Sequence, residues 1–329
     1  RNELSNAPGV ETRVPYWGST EAFEELDPSL PFHASAAFLK MVQQMESAGL
    51  VKNKTLRGAP YDFRYGPPSP VGAKFTADLK QLIEETYHAS GSRVNLVSHS
   101  MGCLQALYLL NQQTQEWKDR YIEKWIPLAG PFGGAAKELR LHASGDNQGV
   151  PVSELAIRAE QRSYETNFWL APVPRWFGDK VLVTTPTRNY SAQDYDAFFN
   201  DIGFPAGKGL YKRIADVTSA AAAPGVDVVC MYSLGVDTPA HFSYDEAGFD
   251  KQPKIKYGDG DGTVNDLSLR LCERWAEKGA QTRSAKKVQF SKVSHQGMLT
   301  DDGVLSALMR ELGLSPKGAS AAREATVVV

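Results

Sequence analysis

Apolar positions along the chain switch between a helical and an extended period. Over Ala36 to Ala48, Phe38, Leu39, Val42 and Met45 recur at helical spacing, and Gly49 supplies a stop. A second amphipathic helix is predicted over Ala73 to Tyr87, where Phe75, Leu79, Leu82, Ile83 and Tyr87 share a face. The RGAPYDFRYGPP stretch between them, from Arg57, reads as a loop. A β-type run from Arg93 to Val97 then leads through Ser98-His99-Ser100-Met101-Gly102 into a helical pattern of Leu104, Leu107, Tyr108 and Leu110. Trp125 to Leu128 reads as another buried strand, closed by the turn-forming Ala129 to Gly134. Two strands separated by a helix imply a parallel βαβ unit, hence an α/β fold with a mostly parallel central sheet. From about 134 to 225 no period holds, and this stretch is assigned to a cap or lid insertion. Later strands are predicted at Val226 to Tyr232, Lys254 to Tyr257 and Lys287 to Val293, with helices at Leu267 to Lys278 and Asp302 to Leu312. Residues 1 to 314 are thus read as a single domain, and the small-residue-rich tail from 315 to 329 as disordered.

Composition narrows the classes. With 42% hydrophobic and 22% charged residues the chain can bury a sizeable core. A net charge of −2 and the lack of a basic run argue against a nucleic-acid partner. No window approaches the roughly 18 apolar residues of a membrane span, so any membrane contact is expected at the surface. Cys103, Cys230 and Cys272 have no zinc-site spacing. Asn53-Lys54-Thr55 and Asn189-Tyr190-Ser191 are glycosylation sequons, which matter only in a secretory protein. The opening RNELSNAPGV lacks the charged and apolar regions of a signal peptide.

The chemistry concentrates around Ser100. A serine hydroxyl needs an exposed position and a neighbouring base to act as a nucleophile. Small residues two before and two after it allow a sharp strand-to-helix turn, the nucleophile elbow of the α/β-hydrolase fold. Here they are Ser98, where glycine is usual, and Gly102. On that fold the acid and then the histidine follow in chain order. Of the histidines after Ser100, only His295 follows both a credible acid and the predicted last strand. The acid is expected in Gly258-Asp259-Gly260-Asp261-Gly262-Thr263-Val264, with Asp261 preferred and Asp259 in reserve. A calcium loop does not fit: Val264 stands at its glycine position and Arg270 at its twelfth, so no metal is expected. The amide of Met101 is one expected oxyanion donor. The glycine-rich loop that normally gives a second follows no early strand here, since residues 1 to 35 read as loop; the sequence looks truncated at its N-terminus. Glycines at 130 to 134 and 258 to 262 match no phosphate-binding pattern. Arg57, Asp62 and Arg64 read as a loop-anchoring ion network.

These residues, with ELDPS at 25 to 29, RGAPYDFR at 57 to 64, HSMG at 99 to 102, EWKDRYI at 116 to 122, ASGDN at 143 to 147, NYSAQDYDAFFNDIGF at 189 to 204 and GDGDGTVN at 258 to 265, closely resemble the lecithin:cholesterol acyltransferase family, most nearly its lysosomal phospholipase A and transacylase branch. The resemblance runs over roughly residues 10 to 312. It implies an α/β-hydrolase core with a lid near 139 to 165, a Ser100, Asp261, His295 triad, and a disulfide between Cys230 and Cys272. It also implies that a first core strand, an oxyanion loop and a small membrane-binding subdomain belong upstream of residue 1. The implied activity moves a fatty acyl group from a glycerophospholipid, at a membrane or lipoprotein surface, to water or a lipid alcohol without a cofactor. The implied setting is lysosomal, vacuolar or secreted. Two alternatives are a phospholipid:diacylglycerol or sterol acyltransferase, and a non-catalytic lipid-binding module.

Overall fold

Val94–His99 (β2) is buried at every position, the pattern of a parallel strand covered on both faces. With it, the described residues form ten strands: Leu56–Gly58 (β1), β2, Ile122–Leu128 (β3), Val183–Thr184 (β4), Asn189–Tyr190 (β5), Val228–Leu234 (β6), Thr238–Ser243 (β7), Lys254–Gly258 (β8), Ala285–Ser291 (β9) and Ala325–Val328 (β10). The computed structural model describes residues 8–10, 12–33, 35–219, 222–314 and 325–329. The first seven residues of RNELSNAPGV, read as carrying no leader, lie outside the described residues, as does the 315–324 part of the tail.

The larger sheet has the order β1-β10-β2-β3-β6-β9, and every pair in it is parallel. Parallel neighbours require crossovers, which the helices Pro70–Ser90 and Met101–Gln112 supply beside β2. The first of these is well delimited. Ser69 Oγ accepts from the Gly72 amide at 2.9 Å, Pro70 opens the helix, and Gly91 closes it in the left-handed region at φ 70°. The closing helix Asp302–Glu311 is capped by Asp301, whose Oδ1 accepts from the Val304 amide at 2.9 Å, and packs on Leu39–Ser47.

Three sequence expectations are corrected. The tail is not disordered throughout, because its last residues enter the sheet as β10 between β1 and β2. Val327 and Val328 are fully buried, and the backbone is held by Val329 N to Val97 O at 2.9 Å and Ala59 N to Val328 O at 2.9 Å. Paired on both sides, this short β-branched run is sequestered despite its small-residue approach. Second, the start of the presumed loop at Arg57 lies in β1, a strand too short to show alternation. Lys254 to Tyr257 is a strand as expected, and β8 belongs to a separate sheet of order β5-β4-β7-β8. Exposed Lys254, Lys256 and Tyr257 reflect that outer position. Third, the predicted helix at Leu267 to Lys278 is one α-helical turn, Asp266–Leu269, continued by the 3₁₀ segment Arg270–Ala276.

Cys230 of β6 and Cys272 of that 3₁₀ segment form a disulfide closing a sequence separation of 42 residues. By the loop-entropy argument such a crosslink is worth about 4 kcal/mol. Cys103 is free and buried, and burial pushes its thiol up to about 12.

Candidate active site

Ser100 stands at the turn from β2 into Met101–Gln112 with φ 54° and ψ −127°. A non-glycine residue held there costs about 1–3 kcal/mol, offset by the strand and helix that clamp it on either side. The turn can be this tight because residue 102 is glycine: a Cβ there would meet the Val329 carbonyl oxygen at 2.3 Å. Position 98 has no such demand. Ser98 Oγ instead accepts from Trp125 Nε1 at 2.8 Å and donates to Cys103 Sγ at 3.3 Å, so a polar side chain is satisfied where the elbow usually has glycine.

His295 follows β9 and meets both partners. Its Nε2 lies 2.8 Å from Ser100 Oγ and its Nδ1 lies 2.7 Å from Asp261 Oδ2. A carboxylate only accepts, so Nδ1 carries the proton and Nε2 is left to accept from the serine. Asp261 is completely buried, and its Oδ1 accepts from the amides of Thr263 at 3.0 Å and Val264 at 2.8 Å. The His295 amide also donates to the Asp261 carbonyl at 2.7 Å. Asp259 turns elsewhere, accepting from Gly235 at 2.6 Å and Gly260 at 2.8 Å. The structure therefore brings together Ser100, Asp261 and His295 and leaves Asp259 as a loop anchor. Met101 opens the helix, where first-turn amides have no carbonyl partner within it, and lines the same pocket.

Sequence reasoning gave no role to His99. Its ring lies 4.8 Å from that of His295, and its Nε2 donates to the His295 carbonyl at 3.0 Å. Burial and then the neighbouring His295 push His99 down to about 3, so it is neutral. Its place beside the elbow serine was the available signal. Glu138 was missed too. It is buried in the helix Lys137–Ser144 and lines the pocket over Ser100, but it falls in a stretch without periodicity.

That pocket is about 520 Å³. Ser100, Met101 and His295 form one wall, and the insertion supplies Leu141, Tyr164 and Leu170 among others. Elsewhere, Arg64 grips both oxygens of Asp62 at 2.9 and 2.6 Å, and Arg57 Nε donates to the Gly18 carbonyl at 2.8 Å, so these residues tie loops together. Asn53 and Asn189 are both exposed.

A parallel sheet carrying a serine on a strand-to-helix elbow, with histidine and acid on later loops, defines the α/β-hydrolase class. Within that class the chain belongs to the lecithin:cholesterol acyltransferase family, whose model matches residues 1–214 and 207–309. It is 43% identical over 324 residues to lecithin-cholesterol acyltransferase-like 1 of Arabidopsis thaliana, covering 95% of this chain and 73% of that protein. It is 42% identical over 309 residues to the lysosomal phospholipase A and acyltransferase of Rattus norvegicus, covering 92% and 73%. To the phosphatidylcholine-sterol acyltransferase of Mus musculus it is 38% identical over 306 residues, covering 92% and 68%.

Proposed function

We propose that this chain is a serine-dependent phospholipase A and O-acyltransferase, with residues 134 to 225 forming the cap of a single catalytic domain. What carries the reading is the unbroken hydrogen-bond run from Asp261 through His295 to Ser100 at the wall of a pocket. Ser100 Oγ attacks the carbonyl carbon of a fatty acyl ester while His295 Nε2 takes its proton. Asp261 holds the imidazole in the required tautomer and stabilises the imidazolium. The Met101 amide donates to the developing oxyanion, a contact worth about 3 kcal/mol in the transition state. Collapse breaks the ester C–O bond, and His295 returns the proton to the leaving glycerol oxygen. In the second half, water or a lipid alcohol gives its proton to His295 and its oxygen to the acyl carbon, and Ser100 leaves protonated. No cofactor enters either half.

The names of the relatives support a phospholipid donor and a lysosomal setting; action at a membrane or lipoprotein surface, and a vacuolar or secreted setting, extend that reading. Exposed Asn53 and Asn189 are candidate glycosylation sites in that setting, with which the Cys230–Cys272 disulfide agrees. Among the described residues no helix is long and apolar enough to cross a membrane. Similarity to a phosphatidylcholine-sterol acyltransferase favours a sterol acceptor as the second reading.

The test incubates the protein with phosphatidylcholine vesicles, with and without a lipid alcohol, and separates the products by chromatography. Free fatty acid alone makes it a phospholipase, and an acylated acceptor makes it a transacylase. Neither product from folded protein at acidic and neutral pH would favour a lipid-binding module. Ser100→Ala should lose both products and all labelling by a serine-directed phosphonate; surviving labelling would overturn the assignment of Ser100.

A further inference from the structure

Glu138 lines the active-site pocket and carries a buried carboxyl oxygen that the described residues do not satisfy. It is 3% exposed, and its Oε2 has no hydrogen-bond partner among the described residues. The same pocket wall includes Ser100 and His295. A carboxyl group left this way in a protein interior is costly unless something else completes its bonding. Nothing in the proton transfers between Ser100, His295 and Asp261 uses it.

We propose that Glu138 is a substrate-binding residue whose carboxyl group donates a hydrogen bond to an acceptor oxygen of the bound glycerophospholipid, in an ester or in the phosphate. The inference rests on the lipid reading of the site. Diacyl phosphatidylcholine offers only acceptors, so its partner must be a donor, and a carboxyl group is a donor only when protonated. Burial raises Glu138 to about 7, Lys137 on its own helix opposes the shift and Asp146 on the following loop adds to it. Tyr195 faces it from the helix Tyr195–Asp201, and Tyr164 and His295 lie on the same pocket. None of these surroundings offers Oε2 a hydrogen bond. In mildly acidic solution the group is therefore neutral and ready to donate. Once ionised it becomes acceptor-only and repels phosphate.

The experiment is the pH profile of kcat and KM for phosphatidylcholine vesicles, for wild type and Glu138→Gln, with dioleoylglycerol as a phosphate-free substrate. Wild-type kcat/KM should fall roughly tenfold as pH rises through the Glu138 titration, through KM more than kcat. Glutamine keeps a donor and does not titrate, so Glu138→Gln should lack that alkaline limb. A limb removed for phosphatidylcholine alone points to the phosphate, and one removed for both substrates points to an ester. Both outcomes support the contact. An alkaline limb unchanged in Glu138→Gln overturns it. Should that variant fail to fold, Glu138→Thr, a smaller donor, takes its place with the same expectation. If wild type cleaves p-nitrophenyl butyrate but no phosphatidylcholine at any pH, the lipid reading of the site fails and the contact with it.

Discussion

β2 and β10 lie side by side in one parallel sheet, equally buried, and differ in almost everything else. β2 is continuous in sequence with the turn and helix that present Ser100, so its role is written locally. β10 comes from the far end of the chain, and its place depends on two edges that β1 and β2 leave open. Yet the two strands meet at the site: Val329 accepts from the His99 amide at 3.3 Å, and its carbonyl sets how close Gly102 must come. The geometry of the elbow is thus shared between a local motif and a distant strand. Burial alone does not reveal which of two neighbours carries chemistry.

The largest expected effect comes from removing residues 325–329. Burying a valine side chain contributes roughly 1.5–3 kcal/mol, and β10 also completes the backbone pairing of both neighbours. The loss of Val327, Val328 and Val329 together is then comparable with the 5–15 kcal/mol of a typical domain. The shortened chain should lose its cooperative urea transition. A transition shifted by less than about 1 kcal/mol would mean that β10 merely decorates the sheet. Next is Gly102→Ala, whose Cβ must push the Val329 carbonyl aside from 2.3 Å. Overpacking of this kind costs about 1–3 kcal/mol, and it moves the helix end that carries the Met101 amide. Urea midpoint and hydrolysis should therefore fall together, and a drop in hydrolysis at unchanged stability would separate the elbow from β10.

The contrast also explains what could be read from the sequence. Ser100, His295 and the parallel βαβ unit were legible because strand, turn and helix follow one another within a few residues. Asp259 and Asp261 are told apart only in space: Gly235, 24 residues before Asp259, donates to one aspartate while His295 donates to the other. The cap resisted reading because helices such as Lys137–Ser144 and Glu154–Gln161 span only 8 residues each, barely two turns of period. Glu138 was hidden for another reason: glutamate is almost never fully buried unless it is paired. β10 was the clearest miss, because four residues after a small-residue segment look like a tail until β1 and β2 need a partner.

The two strands should also differ in their response to acid. β2 carries buried His99, whereas Ala325, Thr326, Val327 and Val328 have no titratable side chain. His99 is pushed down to about 3, so the unfolded chain takes up its proton first as pH falls below about 6.5. Its contribution to stability is present above 6.5 and is lost as pH falls towards 3, at about 1.4 kcal/mol per pH unit. His142, likewise pushed down to about 3 by burial, acts in the same direction. Glu138 acts oppositely. Raised to about 7, it contributes stability fully below the ordinary glutamate value, and that is lost as pH rises through 7. Urea titrations between pH 4.5 and 6.5 should show His99→Gln with a shallower acid decline than wild type. Parallel declines would mean that His99 is not held neutral.

The smallest effect tests whether Ser98, the departure from the usual elbow, has a structural role of its own. Ser98→Ala removes the acceptor for Trp125 Nε1, a donor on a completely buried ring. An orphaned buried donor costs about 1–3 kcal/mol, and the hydroxyl's 3.3 Å contact with the Cys103 thiol adds little because sulfur is a weak acceptor. Glycine would leave the same orphan, so restoring the common elbow residue should destabilise this protein. The decisive comparison is a double-mutant cycle with Trp125→Phe, which deletes the donor. If the hydrogen bond is what Ser98 supplies, Ser98→Ala should cost about 1 kcal/mol or more with tryptophan present and nearly nothing with phenylalanine. An equal cost in both backgrounds would assign Ser98 to packing, and the sequence departure would then carry no hydrogen-bonding information.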